Sequence, residues 1–358
     1  MKAVRFHAKR DVRVEEVSAP SKPLEADELL VKPLVCGICG TDLHEYVGGP
    51  IVTPGKPHAY SGAVLPQILG HEFSAIVVDT GKDVHHVRPG DRITVQPLIS
   101  PRDDYYGRRG LFHLSPCQAC IGLSWQWGGM GELAVIKSYN AIPVPKSISD
   151  TQAAMIEPAA VALYALDRGR VVAGSSVLIS GLGPIGALSL LGAKAAGASR
   201  IFVSEVNPNR AKKARELVPD CIVIDPRDPT WFEQIQDLTE DGVGVDAAIE
   251  CVGAEKSLTA CVDAVRRQGV VVQAGLHSAP ATIDAMKWAL KDLTVEATWC
   301  WPSYSFPRVA SMIESGVLPV EKVMTSQIAM DDIVEKGFEK LLDPAGDEMK
   351  ILVKVSES

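Results

Sequence analysis

Residues 175–206 read SSVLISGLGPIGALSLLGAKAAGASRIFVSEV. An apolar run ends at Ser180, glycines stand at 181, 183 and 186, and an Ala/Leu-rich stretch leads to a second apolar run closed by Glu205. The pattern reads as strand, tight turn, helix, strand. Gly181 suits the turn, Gly183 lets the backbone approach a pyrophosphate, and Gly186 permits close helix–sheet packing at a helix N-terminus that faces the anion. Alone, G-x-G-x-x-G also marks glycine-rich turns that bind nothing. The strand before it, the helix after it and an acid nineteen residues beyond Gly186 give it a dinucleotide-binding reading. Glu205 is placed for a bidentate bond to ribose hydroxyls, which favours NAD over NADP. Pro184, Ile185, Arg210 and Val252 complete the candidate cofactor contacts, although Arg210 also reads as an ordinary helix-face cation.

Downstream, CIVID, VDAAIEC, GVVVQAG and LTVEATW add strand-like runs. Helix-like stretches at 185–196, 211–217, 232–238 and 256–266 alternate with them. Alternating β and α units imply a parallel sheet with helices on both faces. Upstream the texture differs. VRVEEV, ELLVKPLV, FSAIVVD and DRITV are separated by turn signals such as RPGD at 88–91, which suits an antiparallel, barrel-like domain. Near the end, SFPRVASMIESG reads as a helix and MKILVKV as a last strand. GGPIVTPGKPHAYSGAVLPQ, 48–67, is expected to be a long loop near the site, since it is too long to be a mere connection.

A chain of 358 residues accommodates two domains. Its 46% apolar and 22% charged residues are ordinary for a globular protein. The formal charge of −8 argues against a nucleic-acid partner, which calls for a basic patch. No run of 18 apolar residues occurs, so no membrane span is expected. The opening MKAVRFHAKR has no apolar stretch behind its basic start, so no secretory leader is expected either. The eight cysteines then read as reduced ligands or fillers in a cytoplasmic chain.

Three stretches carry metal-binding chemistry: CGICGTDLHEY (36–46), LGHEFSA (69–75) and AAMIEPAAVALYA (153–165). They offer Cys39 as thiolate, His71 as imidazole, and Glu72 or Glu157 as carboxylate. Catalytic zinc takes three such protein donors and keeps one position open. Each residue also has a plain reading, as buried thiol, surface His-Glu pair or helix-starting Glu-Pro. Cys36 and Cys39 form a Cys-x-x-Cys, but outside the βα context that a redox motif needs.

These stretches, with LPQILGHEFSAIVV, GDRITVQP, IEPAAVALYAL and GLGPIGALSLLGAKAAGA, resemble the zinc-dependent medium-chain dehydrogenase/reductase family over essentially the whole length. Within it the likeness is to the 2,3-butanediol and sorbitol dehydrogenase branch. The resemblance implies an α/β chain: a GroES-like β-barrel catalytic domain at 1–157, a Rossmann doubly wound parallel-sheet domain at 158–298, and a return to the catalytic domain at 299–358. It implies a catalytic zinc held by Cys39, His71 and Glu157. Glu72 is a ligand in some members and a neighbouring or exchanging group in others. Thr41 and His44 match the family's proton relay, and an imidazole suits its end because it titrates near neutrality. The implied reaction moves a hydride between NAD(H) and a secondary alcohol or vicinal diol of the 2,3-butanediol/acetoin kind, with zinc as Lewis acid. A sorbitol- or xylitol-type polyol dehydrogenase is the alternative. A non-catalytic dinucleotide-binding protein is a reading of another class, and it predicts lost zinc or relay residues. A homodimer or homotetramer is expected, and motif order makes Tyr46, Trp127 and Cys300 candidate pocket residues.

Many members of this family also carry a structural zinc on four cysteines spaced Cys-x2-Cys-x2-Cys-x7-Cys. Counted from Pro101, that spacing lands on Asp104, Gly107 and Ser115, so no position is a thiol. Cys117 and Cys120 fall just beyond the fourth. One zinc per chain is therefore expected, with no structural zinc and a 101–120 loop held by packing and hydrogen bonds.

Overall fold

The quoted stretch folds as the strand Ser176–Ser180, the helix Pro184–Ala195 and the strand Arg200–Ser204 of a six-stranded parallel sheet. The structure is a computed structural model that describes residues 1–21 and 23–357. Across the sheet the strands run Ile222–Ile224, Arg200–Ser204, Ser176–Ser180, Val245–Glu250, Val265–Gln273 and Thr294–Ala297, with every neighbour parallel. In chain order this is 3-2-1-4-5-6, the doubly wound arrangement. The progression reverses at Ser176–Ser180, so the glycine turn stands at the switch point where such sheets open a ligand crevice. Its strands read as continuous apolar runs because helices cover both faces, and Val177 to Ile179, Phe202, Val203 and Val271 are buried. The helix expected at 256–266 stops at Ala264, because Val265 turns extended (φ −74°, ψ 137°) and pairs with Val245.

This unit comprises Pro158–Trp301 and Val317–Val323; the other comprises Met1–Glu157, Pro302–Gly316 and Met324–Ser358. The return to the first unit thus begins at Pro302 and is interrupted. Leu318, Val320 and Val323 are buried, and the turn Val320–Val323 packs on the helix Pro184–Ala195.

The first unit is built around the strand Glu28–Gly37. It pairs antiparallel with Glu72–Thr80, Ala134–Lys137 and Ile351–Lys354. Phe6, Leu29, Val31, Phe73, Ile93, Ile136 and Ile351 are fully buried in its core. The last strand enters beside the first residues of the site, with Leu352 opposite Gly37. Elements that went unread in the sequence include the strand Lys2–Ala8, the helix Ile156–Arg168 and a helix, α1, at Gly40–Gly48. Polar TDLHE offers no helical apolar stripe; α1 instead buries Asp42, Glu45 and Tyr46. Among the described residues no helix is long and apolar enough to cross a membrane.

Candidate active site

Cys39 precedes α1, where the strand Glu28–Gly37 has ended, and Gly70 (φ +97°) turns the chain so that His71 and Glu72 enter the neighbouring strand. Donor atoms of Cys39, His71 and Glu72 lie within 4.8 Å of one another. Glycine is required at 37, since an added Cβ would stand 2.1 Å from Glu72 Oε2. Lys350, buried at the head of the last strand, donates to Glu72 Oε2 and, at 2.9 Å, to the Ile38 carbonyl. Asp42 accepts from the Cys39 backbone N–H at 2.9 Å through Oδ2. Its Oδ1 faces His71 Nδ1 at 3.8 Å, and both of those buried atoms lack a hydrogen-bond partner. A carboxylate behind an imidazole fixes the ring of a metal-binding histidine. Sequence reasoning missed Asp42 and Lys350. A lysine heading an apolar strand ordinarily reads as exposed, and only the fold buries this one.

Glu157, in the helix Ile156–Arg168, is buried near this group but outside the 4.8 Å set. Burial, and then Glu72, push its carboxyl well above the usual range. Burial and Glu72 likewise push the Cys39 thiol up to about 12, and burial raises the Asp42 carboxyl. Three carboxyl groups and a thiol thus share one ammonium. A divalent cation would favour the deprotonated thiol and carboxyl forms that burial opposes, so this sulfur, nitrogen and oxygen donor set fits zinc. Thr41 Oγ1 lies 3.7 Å from Cys39 Sγ, and His44, one turn along α1, is exposed. Cys36 is buried with its Sγ 3.6 Å from the Gly37 carbonyl, and burial pushes its thiol well above the ordinary value, which suits packing rather than redox exchange. Tyr46, a candidate pocket residue, packs instead against Phe338 at 5.1 Å and donates to Glu339 at 2.7 Å. Trp127 lines a separate cavity that includes none of Cys39, His71, Glu72 and Glu157. Cys300 is half-buried with φ +52°.

In the parallel-sheet unit, Gly181 has φ +88°, and a Cβ on Gly186 would stand 1.9 Å from its carbonyl oxygen. A Cβ on Gly183 would meet open space, the clearance a diphosphate needs. The adjoining cavity, about 780 Å³, is lined by Gly181, Gly183, Glu205, Arg210, Arg227 and Val252 among others. Pro184 and Ile185 open the helix without lining it. Glu205 Oε2 accepts from Leu182 N–H at 2.7 Å, and Oε1 accepts from Val206 and Asn207 N–H at 2.8 Å each. Its carboxylate is thus tied to the glycine turn. Two of these bonds fall on Oε1 and one on Oε2, which leaves an acceptor site on Oε2.

The 101–120 loop gathers the positions that the cysteine spacing marked. Asp104 Oδ1 accepts from Gly107 N–H, and Oδ2 accepts from Ser115 Oγ at 2.6 Å. A Cβ on Gly107 would stand 2.4 Å from the Pro101 carbonyl. Nearby, the Arg102 guanidinium is sandwiched between the rings of Phe112 (3.7 Å) and Tyr139 (3.5 Å).

The family described as alcohol dehydrogenase GroES-like domain matches residues 25–146, and that described as zinc-binding dehydrogenase matches residues 184–315. The chain is 35% identical to (R,R)-butanediol dehydrogenase of Bacillus subtilis, covering 99% of each chain. It is 30% identical to sorbitol dehydrogenase of Homo sapiens, covering 98% of this chain and 95% of that one. The crystal structure of 2R,3R-butanediol dehydrogenase from Bacillus subtilis superposes with a TM-score of 0.91 at 34% identity, covering 99% of each chain. A zinc-binding dehydrogenase from Sinorhizobium meliloti, solved with NADP bound, gives 0.87 at 29% identity, covering 99% of this chain and 98% of that one. The chain belongs to the zinc-dependent medium-chain dehydrogenases. It is an alcohol-dehydrogenase oxidoreductase, with a GroES-like catalytic fold joined to a Rossmann fold, that works with zinc and a nicotinamide dinucleotide.

Proposed function

We propose that this enzyme interconverts vicinal diols or secondary alcohols of the 2,3-butanediol kind with their hydroxyketones or ketones, using NAD(H). The carrying observation is the Cys39–His71–Glu72 cluster with Thr41 beside it, in a chain alike from end to end to a butanediol dehydrogenase. Cys39 and His71, with Glu72 or Glu157, would hold the zinc. Bound there, zinc polarises the substrate oxygen and eases loss of its proton. The dinucleotide supplies the hydride acceptor at its nicotinamide C4. Thr41 Oγ1 would take the hydroxyl proton while giving up its own toward His44, which is exposed and can release it to water. Asp42 keeps the His71 ring oriented, and Lys350 balances Glu72. A polyol substrate is the second reading, favoured by the likeness to human sorbitol dehydrogenase. A panel of diols and polyols, followed through the absorbance of reduced nicotinamide, separates the two. Faster turnover of a polyol than of any short diol would reverse the order.

NAD rather than NADP is proposed because Glu205 would face a 2′-phosphate with like charge. The kcat/KM should be at least about tenfold higher with NAD; a higher value with NADP would end this assignment, and Arg210 and Arg227 would then be its cause. Self-association into a homodimer or homotetramer is also proposed. Among the described residues the edge strand Thr294–Ala297 pairs on one side only, and Val295 on it and Ile283, Met286 and Leu290 just before it in the chain are exposed. Eight cysteines outside any disulfide support a reducing, cytoplasmic setting.

A further inference from the structure

Glu250 closes the strand Val245–Glu250, which pairs with Ser176–Ser180 across the switch point, and it is 0% exposed. A carboxylate so buried needs donors on both oxygens or a cation beside it. Its Oε1 is supplied by the residues that follow: Val252 N–H at 2.8 Å, Gly253 N–H at 2.9 Å and Ser257 Oγ at 2.7 Å. Its Oε2 has no hydrogen-bond partner and, among the described residues, no lysine or arginine pairs with it. The group facing it is His277 Nε2 at 3.5 Å, a buried atom that also lacks a hydrogen-bond partner. Two glycines lock the turns around this pair back to back. A Cβ on Gly275 would stand 2.2 Å from Gly253 N and 2.7 Å from Glu250 Oε2, and one on Gly253 would stand 2.3 Å from the Leu276 carbonyl oxygen. Glu250 thus ties turn 251–254 on one side and the turn leading to His277 on the other.

Turn 251–254 is a wall of the dinucleotide cavity. Cys251 N–H donates to the Ser180 carbonyl at 2.9 Å, and Ser257 Oγ lies 2.9 Å from Ser180 Oγ. A Cβ on Gly181 would stand 2.5 Å from Val252 Cγ2. The glycine turn and turn 251–254 therefore touch, and Gly181, Val252 and Ser257 line the same cavity as Glu205. An acid in the place of Glu205 marks the ribose whose 2′ group separates NAD from NADP, so this cavity fits the adenosine half. Val252 is 52% exposed, so packing does little to hold it, and the bonds of the 252 and 253 N–H groups to Glu250 set where it stands. We propose that Glu250, with His277 at its other oxygen, is a positioning residue for the dinucleotide. It holds turn 251–254 against the glycine turn and so sets the width of the cavity. His277 completes the clamp by presenting an N–H to Oε2, which an imidazole protonated at Nε2 can do. The role uses only the binding of a nicotinamide dinucleotide and is independent of which alcohol is oxidised.

The test uses the full-length, zinc-loaded protein and the variants E250L, E250Q, H277L, H277Q and S257A. Dissociation constants for NADH and for ADP-ribose are measured without alcohol. The KM for NAD and kcat are measured with the fastest alcohol of the panel above, and Tm and zinc per chain are followed alongside. E250L removes both acceptor oxygens. It should weaken NADH and ADP-ribose alike, by about tenfold, and raise the KM for NAD, while kcat at saturating NAD and zinc content hold. S257A and H277L are milder and should each weaken both ligands about threefold. E250Q keeps an acceptor for the 252 and 253 N–H groups, and H277Q keeps an N–H for Oε2. Each should recover most of the affinity lost in its leucine counterpart. If E250L does not fold, S257A and the two His277 variants carry the result. Unchanged dissociation constants in the folded variants, with only Tm lowered, would leave Glu250 a structural prop and overturn the proposal. So would equal losses in the glutamine and leucine variants, or a loss confined to NADH that spares ADP-ribose. Failure of the dinucleotide reading shows differently: wild type then binds neither ligand, and the positioning role falls with it.

Discussion

At the residue scale, the site gathers three buried carboxyl groups and a thiol around one ammonium, that of Lys350. Cys39→Ala or His71→Ala should abolish turnover and lower zinc per chain while dinucleotide binding persists, because the glycine turn and Glu205 lie far along the chain in another unit. Metal analysis and NADH titration on the same samples check this; full activity after chelator dialysis would remove zinc from the reaction. Glu72→Ala and Glu157→Ala distinguish the two carboxylates. Family likeness favours Glu157 as the resting ligand, whereas the donor distances group Glu72 with Cys39 and His71. Loss of zinc from Glu72→Ala alone would decide for Glu72. Lys350→Met leaves the Glu72 carboxylate buried without its ammonium. It should cost about 3 kcal/mol of stability by urea unfolding of the zinc-free protein, and less once zinc is added, since the metal takes over the charge. An unchanged midpoint would remove Lys350 from any charge-balancing role beside Glu72.

At the element scale, the 101–120 loop bears on how many metal ions the chain holds. Asp104 joins Gly107 and Ser115, and Arg102 is held between two rings, so the 101–120 loop has internal bonds of its own. Asp104→Ala should loosen it and lower the Tm, read by thermal unfolding and by protease cleavage within 101–117. Chelation should leave that cleavage pattern unchanged, and wild type should bind one zinc per chain. Two tightly bound zincs, one of them lost in a Cys117→Ser/Cys120→Ser variant, would contradict this. The sequence shows no thiol at those four spacings, but it does not show the bonds that Asp104 makes there. Asp104 and Ser115 are eleven residues apart, and their bond exists only after the loop has closed.

At the scale of the whole molecule, the exposed edge of the parallel sheet bears on assembly. Leu290→Glu with Val295→Lys should shift a homo-oligomer toward monomer in sedimentation or light scattering, with zinc content retained. If wild type sediments as a monomer, or the charged variant assembles unchanged, that edge is not the interface. The long-range pairing of chain ends is equally a whole-molecule property. Ile351–Lys354 completes a sheet begun by Glu28–Gly37, and only thereby does Lys350 reach Glu72.

The sequence by itself determined what local order can encode. The six strand runs of the parallel sheet and the glycine turn with Glu205 behind it follow from periodicity and turn chemistry, whereas Cys39, Thr41, His44 and His71 are singled out by donor type and by the resemblance to the dehydrogenase family. Tertiary structure alone decided the rest. Tyr46 sits one helical step from the exposed face of α1, and its neighbours Phe338 and Glu339 lie nearly three hundred residues away, so no local pattern could turn it inward. The same holds for Asp42 behind His71, Lys350 beneath Glu72, and the carboxylate of Glu45 filled by the loop that follows it. A buried charge is stable only when its partners are in place, and those partners are brought there by folding rather than by adjacency in the chain.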